Sequence, residues 1–161
     1  RGFCTSVDLG KGCSGIIFGV DIMSSNISII TAELVPEALR MDTADDLFGM
    51  RFPLKLEPAI YKFAEYLTSE YNGGYWDFFT LSNGGFYMAP RADGAFAVSC
   101  ENGYEGELSA DALGIAACLY AYSHLSFAGN SFGDVCAQQF HWLRAFVMGH
   151  AEAGRILAAI D

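Results

Sequence analysis

The stretch Tyr71 to Pro90, YNGGYWDFFTLSNGGFYMAP, decides the fold. Two aromatic runs flank Ser82-Asn83-Gly84-Gly85, and Asn-Gly is the pair that a tight type I′ turn requires, because both central residues take positive φ. The spacing predicts a β-hairpin with Leu81 opposite Phe86, Phe79 opposite Met88 and Phe78 opposite Ala89. Asp93-Gly94 is a second tight-turn signal, which predicts a third strand laid against the second, with Phe96 opposite Arg91 and Val98 opposite Ala89. Both faces of this meander are too apolar for water, so each needs helices or a partner to cover it.

Upstream, Ile27 to Ala32 reads as a short strand, followed by a brief helical turn that ends near Gly49. From Glu57 the apolar positions Ile60, Phe63, Ala64, Leu67 and Tyr71 recur at helical spacing, with Pro58 in the first turn and Asn72-Gly73-Gly74 as the stop. Downstream, Tyr104 to Leu108 reads as a short edge strand. Ser109 is an N-cap with Asp111 at the positive end of the helix it starts. That helix, Ala112 to about Phe127, is apolar nearly all round and is expected to be central and buried. Asp134 to Met148 follows with Cys136, Phe140, Leu143 and Val147 as its inner stripe, and Ala151 to Ile160 makes a last short helix. The architecture expected is α+β: a three- to four-stranded antiparallel β-meander packed with a long N-terminal helix and C-terminal helices.

The block Trp76, Phe78, Phe79, Thr80, Leu81, Ser82, Asn83, Gly84, Gly85, Phe86, Tyr87, Met88, Ala89, Pro90 resembles the W-x-F-[YF]-T-L-S-N-G-G-F-Y-M-A-P signature of the plasmid-borne ArdB/KlcA antirestriction family. Gly106 to Ala112 is similar to that family's GELSADA segment, and the likeness runs from about residue 28 to Asp161. The resemblance implies a bacterial, cytoplasmic protein that relieves type I restriction of incoming unmethylated DNA. It implies no active site. Residues 1–22 have no counterpart in it, and Met23-Ser24-Ser25 reads as a natural start. Residues 1–22 are therefore expected to be an upstream or non-native extension, the alternative being a genuine extension with Ile16 to Val20 as an extra strand, and residues 23–161 a single domain.

Composition narrows the function further. The 161 residues are 52% hydrophobic, ample for one core. Nineteen acidic against nine basic residues give a net charge of −10, which disfavours direct DNA binding, since phosphate contacts need clustered Lys and Arg. A partial DNA mimic is the opposite reading, but duplex DNA carries about one charge per ~1.7 Å, and the acids here are scattered. The five cysteines lack a close C-x-x-C pair and read as reduced core thiols. Cys118, His124, Cys136 and His141 match no zinc spacing. There is no phosphate loop, dinucleotide fingerprint, H-E-x-x-H or nucleophile elbow. No cofactor, metal or catalytic residue is expected, although an enzyme acting on nucleic acid or restriction subunits stays open as a third reading.

The function expected is protein–protein interference with translocation or cleavage by a type I restriction-modification complex or an associated host protein. The expected contact surface is the turn tip Ser82, Asn83 and Gly84, exposed parts of Trp76 and Tyr87, which with Phe78 read at least as readily as core, and the acidic loop Glu101, Glu105 and Glu107. Asp77, set among aromatics, reads either as a partner contact or as a buried carboxylate satisfying loop amides.

Overall fold

The computed structural model describes residues 28–161; the extension assigned to residues 1–22 lies outside the described residues. The element order is β1 (Ala32–Leu34), α1 (Arg40–Phe48), α2 (Glu57–Leu67), β2 (Trp76–Leu81), β3 (Phe86–Pro90), β4 (Ala95–Ser99), β5 (Glu105–Ser109), α3 (Ala110–Ser126), α4 (Ser131–Val147) and α5 (Ala153–Ile160). A 3-10 turn (Glu37–Leu39) leads into α1, and a π-helical turn (Phe52–Leu56) leads into α2. The strands form two antiparallel sheets, β1-β2-β3 and β4-β5, so the α+β class stands.

The hairpin forms, with a register one residue away from that expected. Thr80 faces Phe86, Phe79 faces Tyr87 and Phe78 faces Met88. The cause is the loop. Gly84 N–H donates to Leu81 O (2.9 Å) and Leu81 N–H donates to Gly85 O (2.8 Å), which makes a three-residue connection rather than a two-residue one. Of the two glycines only Gly84 is left-handed, at φ 94°, as the bulge position of such a loop demands. The shift pairs Phe79 with Tyr87 as stacked rings 4.8 Å apart and sets Phe78 edge-on to Phe86 at 5.4 Å.

The continuation of the meander does not form: β4 pairs with β5, with Phe96 opposite Leu108 and Val98 opposite Gly106, and not with β3. The outer edge of β3 is already taken by helices. With residues 85, 87 and 89 bonded to β2, the backbone of Phe86 and Met88 points outward. Phe86 N–H donates to Gln139 Oε1 (2.8 Å), Phe86 O accepts from Tyr122 Oη (2.9 Å), and Met88 N–H meets Cys118 Sγ (3.4 Å). The next outward position is Pro90, which has no N–H to satisfy. A strand edge is thus closed by side chains from α3 and α4.

Helix α3 is central as expected. Ala112 to Leu119 is buried without interruption, and the helix touches α2, α4, α5, β3 and β5. Ser109 caps it, its hydroxyl accepting from Ala112 N–H. Helix α4 starts earlier than expected because Asn130 is its cap, with Oδ1 accepting from Phe132 and Gly133 N–H. Helix α2 stops at Leu67 rather than at Asn72-Gly73-Gly74: Thr68 turns extended (φ −148°, ψ 133°) and its hydroxyl accepts from Glu70 N–H. The first strand also sits later, at Ala32–Leu34, where it pairs with Leu81 to Phe79 of β2.

Gly114 fixes the distance between α3 and β3. A Cβ there would lie 2.5 Å from both Ala89 Cα and Met88 O. Alanine in a helix gains up to about 1 kcal/mol over glycine, but overpacking against immovable backbone costs about 1–3 kcal/mol. Gly114→Ala is therefore expected to lower the urea midpoint. Gly154→Ala in α5, where nothing lies within 4 Å of the added carbon, is expected to raise it. The same sign for both variants would contradict this packing.

Candidate functional site

The nine residues expected at the contact surface fall into separate places. At the hairpin tip, the polar atoms bond inward. Ser82 Oγ accepts from Thr31 N–H (3.0 Å), and Asn83 Oδ1 accepts from Gly85 N–H (3.1 Å) while its Nδ2 donates to Trp142 O (2.9 Å). Gly84 lies over the Trp142 ring, 3.4 Å from where a Cβ would stand, and its carbonyl accepts from Gln139 Nε2 (3.3 Å). The tip is docked on α4. Asn83 does more than turn chemistry, since it ties the hairpin to a helix 59 positions away.

Trp76 and Tyr87 are not exposed as expected: they retain 3% and 2% of their surface. Both are aromatics on strands covered by helices, so burial removes apolar area from water. Trp76 Nε1 donates to Tyr71 Oη (2.8 Å). Tyr87 Oη donates to Asp111 Oδ1 (2.9 Å), and burial followed by the Asp111 charge pushes its hydroxyl far above the ordinary phenol range. His150 completes the chain. Its Nε2 lies 3.0 Å from Asp111 Oδ2, while its Nδ1 accepts from Glu152 N–H (3.0 Å).

Asp77 bonds to side chains rather than to loop amides. Arg40 Nη2 donates to Oδ1 at 2.7 Å, and Arg91 donates through Nε to Oδ2 at 3.0 Å and through Nη2 to Oδ1. Both guanidiniums also stack on Tyr75, at 4.3 and 4.5 Å from the ring centre, an arrangement stabilised by the ring quadrupole. Arg40 Nη1 reaches Trp76 O (2.8 Å), so the clamp holds the strand start as well as the carboxylate. A groove of about 380 Å³ runs from Asp77 and Arg91 past Phe79 and Pro90 to Asp111.

The described cysteines are poor nucleophiles. Cys118 and Cys136 are buried, with thiols pushed up to about 12 and about 11 by desolvation, the opposite of a reactive cysteine. Cys118, His124, Cys136 and His141 do not converge: the cysteines are buried and the histidines exposed. No group of three His, Cys, Asp or Glu side chains is placed to hold a metal among the described residues.

The acidic residues behave as a surface. Glu105 and Glu107 are exposed on β5, opposite Ser99 and Ala97 of β4. Glu101 stands in the connecting turn beside Tyr66, whose hydroxyl is raised by desolvation and then by the Glu101 charge. Glu70 adds to them, its Oε2 accepting from Ala97 N–H at 2.8 Å. A groove of about 570 Å³ separates this ribbon from the end of α2. The hairpin tip and the Asp77 clamp stand at opposite ends of β2, about 15–20 Å apart for a strand of that length, and the acidic ribbon belongs to the other sheet.

Sequence reasoning missed Arg40, Arg91, Gln139, Trp142 and His150. Only Gln139 left a readable signal, as a polar residue three positions after Cys136 and four before Leu143, on the apolar stripe of α4.

Replacing the clamped carboxylate tests its weight. Asp77→Asn is expected to cost about 2 kcal/mol at pH 7, the worth of charge-assisted hydrogen bonds. Arg91 hydrogen bonding above all, with the Arg40 charge, holds the carboxyl below its ordinary 3.8. The stabilisation is therefore complete above that pH and is lost as the pH falls through the depressed value. Urea midpoints of the two proteins should differ at pH 7 and converge in acid; equal midpoints at pH 7 would contradict the clamp.

Comparison with known proteins places the chain among relatives. The sequence profile described as "Antirestriction protein" matches residues 69–161. An Escherichia coli antirestriction protein KlcA is 42% identical over 142 residues, covering 86% of this chain and all of that protein. A second E. coli KlcA is 44% identical over 139 residues, covering 83% and 95%. A solved structure superimposes with a TM-score of 0.77 at 43% identity, over 82% of this chain and 95% of the other. It is described as showing that KlcA and ArdB have a novel fold and antirestriction activity against type I DNA restriction systems in vivo but not in vitro. The chain belongs to the antirestriction protein family, the ArdB/KlcA family to which its central hairpin already pointed.

Proposed function

We propose that this protein relieves type I restriction of incoming unmethylated DNA by binding a protein, either the restriction-modification complex or a host protein associated with it, and so impairing translocation or cleavage. The observation that carries the reading is the likeness across nearly the whole chain to a protein with that activity in vivo. Three features of the surface support binding over catalysis. The described cysteines, Cys100, Cys118 and Cys136, are buried, and the one Asp–His contact among the described residues ends on the hydroxyl of a buried tyrosine. The exposed charge is predominantly acidic, at a net −10 for the chain. The arginines at the clamp are consumed by Asp77.

Full mimicry of DNA fits less well. Duplex DNA carries about one charge per ~1.7 Å of axis along its whole length, whereas the exposed acids Glu101, Glu105 and Glu107 make only a short cluster. The neighbouring structure's activity in vivo and not in vitro favours a target or condition present in cells and missing from a purified restriction reaction.

Unmodified phage plated on cells with an active type I system should recover plating efficiency when this protein is expressed, and a tagged copy should bring down a component of the system or an associated host protein. The combined charge reversal Glu101→Lys, Glu105→Lys and Glu107→Lys should reduce both without unfolding the chain. Full relief by this folded variant would overturn the placement of the contact surface; relief by catalytic, substoichiometric amounts would favour an enzyme instead.

A further inference from the structure

We propose that the outer edge of β4 is a docking site for an extended, basic peptide segment of a protein partner, which adds to the β4-β5 sheet as a further strand. The inference rests on the protein-binding reading above and names the chemistry of the partner. Cys100 N–H donates to Tyr104 O at 2.9 Å, which fixes the ladder so that Phe96, Val98 and Cys100 bond toward β5. The backbone groups of Ala95, Ala97 and Ser99 therefore point away from β5, and no strand pairs with them among the described residues.

Proteins normally blunt such an edge with lysine, proline, a bulge or a covering element. β3 follows that rule. β4, with the sequence AFAVS, carries neither lysine nor proline, and the side chains at its outward positions are alanine, alanine and serine, all exposed. Among the described residues one side chain bonds to its outward backbone: Glu70 Oε2 accepts from Ala97 N–H at 2.8 Å, where the carbonyl of an added strand would sit. Glu70 is exposed, so its carboxylate returns to water when displaced, and the net cost of exchanging one hydrogen bond for another is small.

The groove beside this edge is lined by Ala97, Val98 and Ser99 of β4, by Glu105 and Gly106 of β5 and by residues 65–69 at the end of α2, of which Leu67, Thr68 and Val98 are buried. Glu65 and Glu105 line it, Glu70 and Glu101 stand beside it, and its lining residues include no lysine or arginine. These charges repel nucleic acid and favour lysine or arginine on an incoming strand. Main-chain bonds would supply affinity and the alternating basic side chains specificity, as in other strand additions.

The probe is a blocked pentapeptide alternating lysine and valine, with a glutamate–valine peptide of equal length for comparison, followed by amide NMR of the full chain. The lysine peptide is expected to shift the amides of Ala95, Ala97 and Ser99, and the glutamate peptide to leave them in place. Ala97→Pro removes an outward N–H and keeps the ladder to β5, so it should abolish the shifts. Glu65→Lys with Glu105→Lys leaves the backbone intact and should weaken binding by about tenfold or more, which keeps the test decisive if the proline variant does not fold. Unmoved edge amides, or shifts undiminished in both variants, would overturn the proposal. In cells, loss of restriction relief in the folded edge variants supports it. Full relief by those variants overturns the docking site while leaving the antirestriction reading standing, and absence of relief by the unaltered protein overturns that reading itself.

Discussion

Helix α3 can lie against β3 because Gly114 has no side chain: any Cβ there would sit 2.5 Å from the strand's backbone. That approach brings Cys118 and Tyr122 within reach of the outward groups of Phe86 and Met88, and α4, packed on α3, adds Gln139. An unpaired backbone group buried without a partner costs roughly 1–3 kcal/mol. Three helical side chains and a proline remove that cost along the whole edge. Most else follows from it. The sheet ends at β3, β4 must find another partner, and the small residues of α3 (Ala110, Ala112, Gly114, Ala116, Ala117) make a helix that other elements can approach from every side.

Local signals were legible where one residue type answers one geometric need. Ser109 caps α3, Gly49 ends α1 in a left-handed conformation at φ 57°, and the unbroken apolar run of α3 announces burial. The hairpin was legible as a hairpin but not in register. Ser-Asn-Gly-Gly suits either a two-residue turn with Asn83-Gly84 at its centre or a three-residue loop with Gly84 at the bulge, and docking on Trp142 of α4 favours the second. The partner of β4 was hidden because Asp93-Gly94 is a sound turn signal in isolation. What rules out that pairing is the prior claim of two distant helices on the edge of β3. The Asp77 clamp was hidden for the same reason, since Arg40 and Arg91 lie 37 and 14 positions away.

The charge distribution connects fold to function. Arg40 and Arg91 are spent on Asp77 and Tyr75, Arg144 reaches Asp161, and Arg155 reaches Glu152. These four arginines are held by partners within the described residues, while Glu101, Glu105 and Glu107 remain on the surface. The aromatic signature block, which invites a reading as a contact surface, is mostly core. It builds the β1-β2-β3 sheet, and the exposed acids Glu105 and Glu107 lie on the smaller β4-β5 ribbon. A tip hydrogen-bonded to Thr31 and α4 and a ribbon edge met by one exposed carboxylate differ in how cheaply they can rearrange for a partner.

The account stands on one edge closed by helices and another left open, and native-state hydrogen exchange resolved by residue measures both at once. The amides of Phe86 and Met88 should exchange as slowly as the ladder amides of Phe79 and Tyr87, though no strand lies beside them, while those of Ala95 and Ser99 should exchange orders of magnitude faster, in the range of locally opening segments. Fast exchange at Phe86 and Met88, or protection at Ala95 and Ser99 equal to theirs, would contradict it.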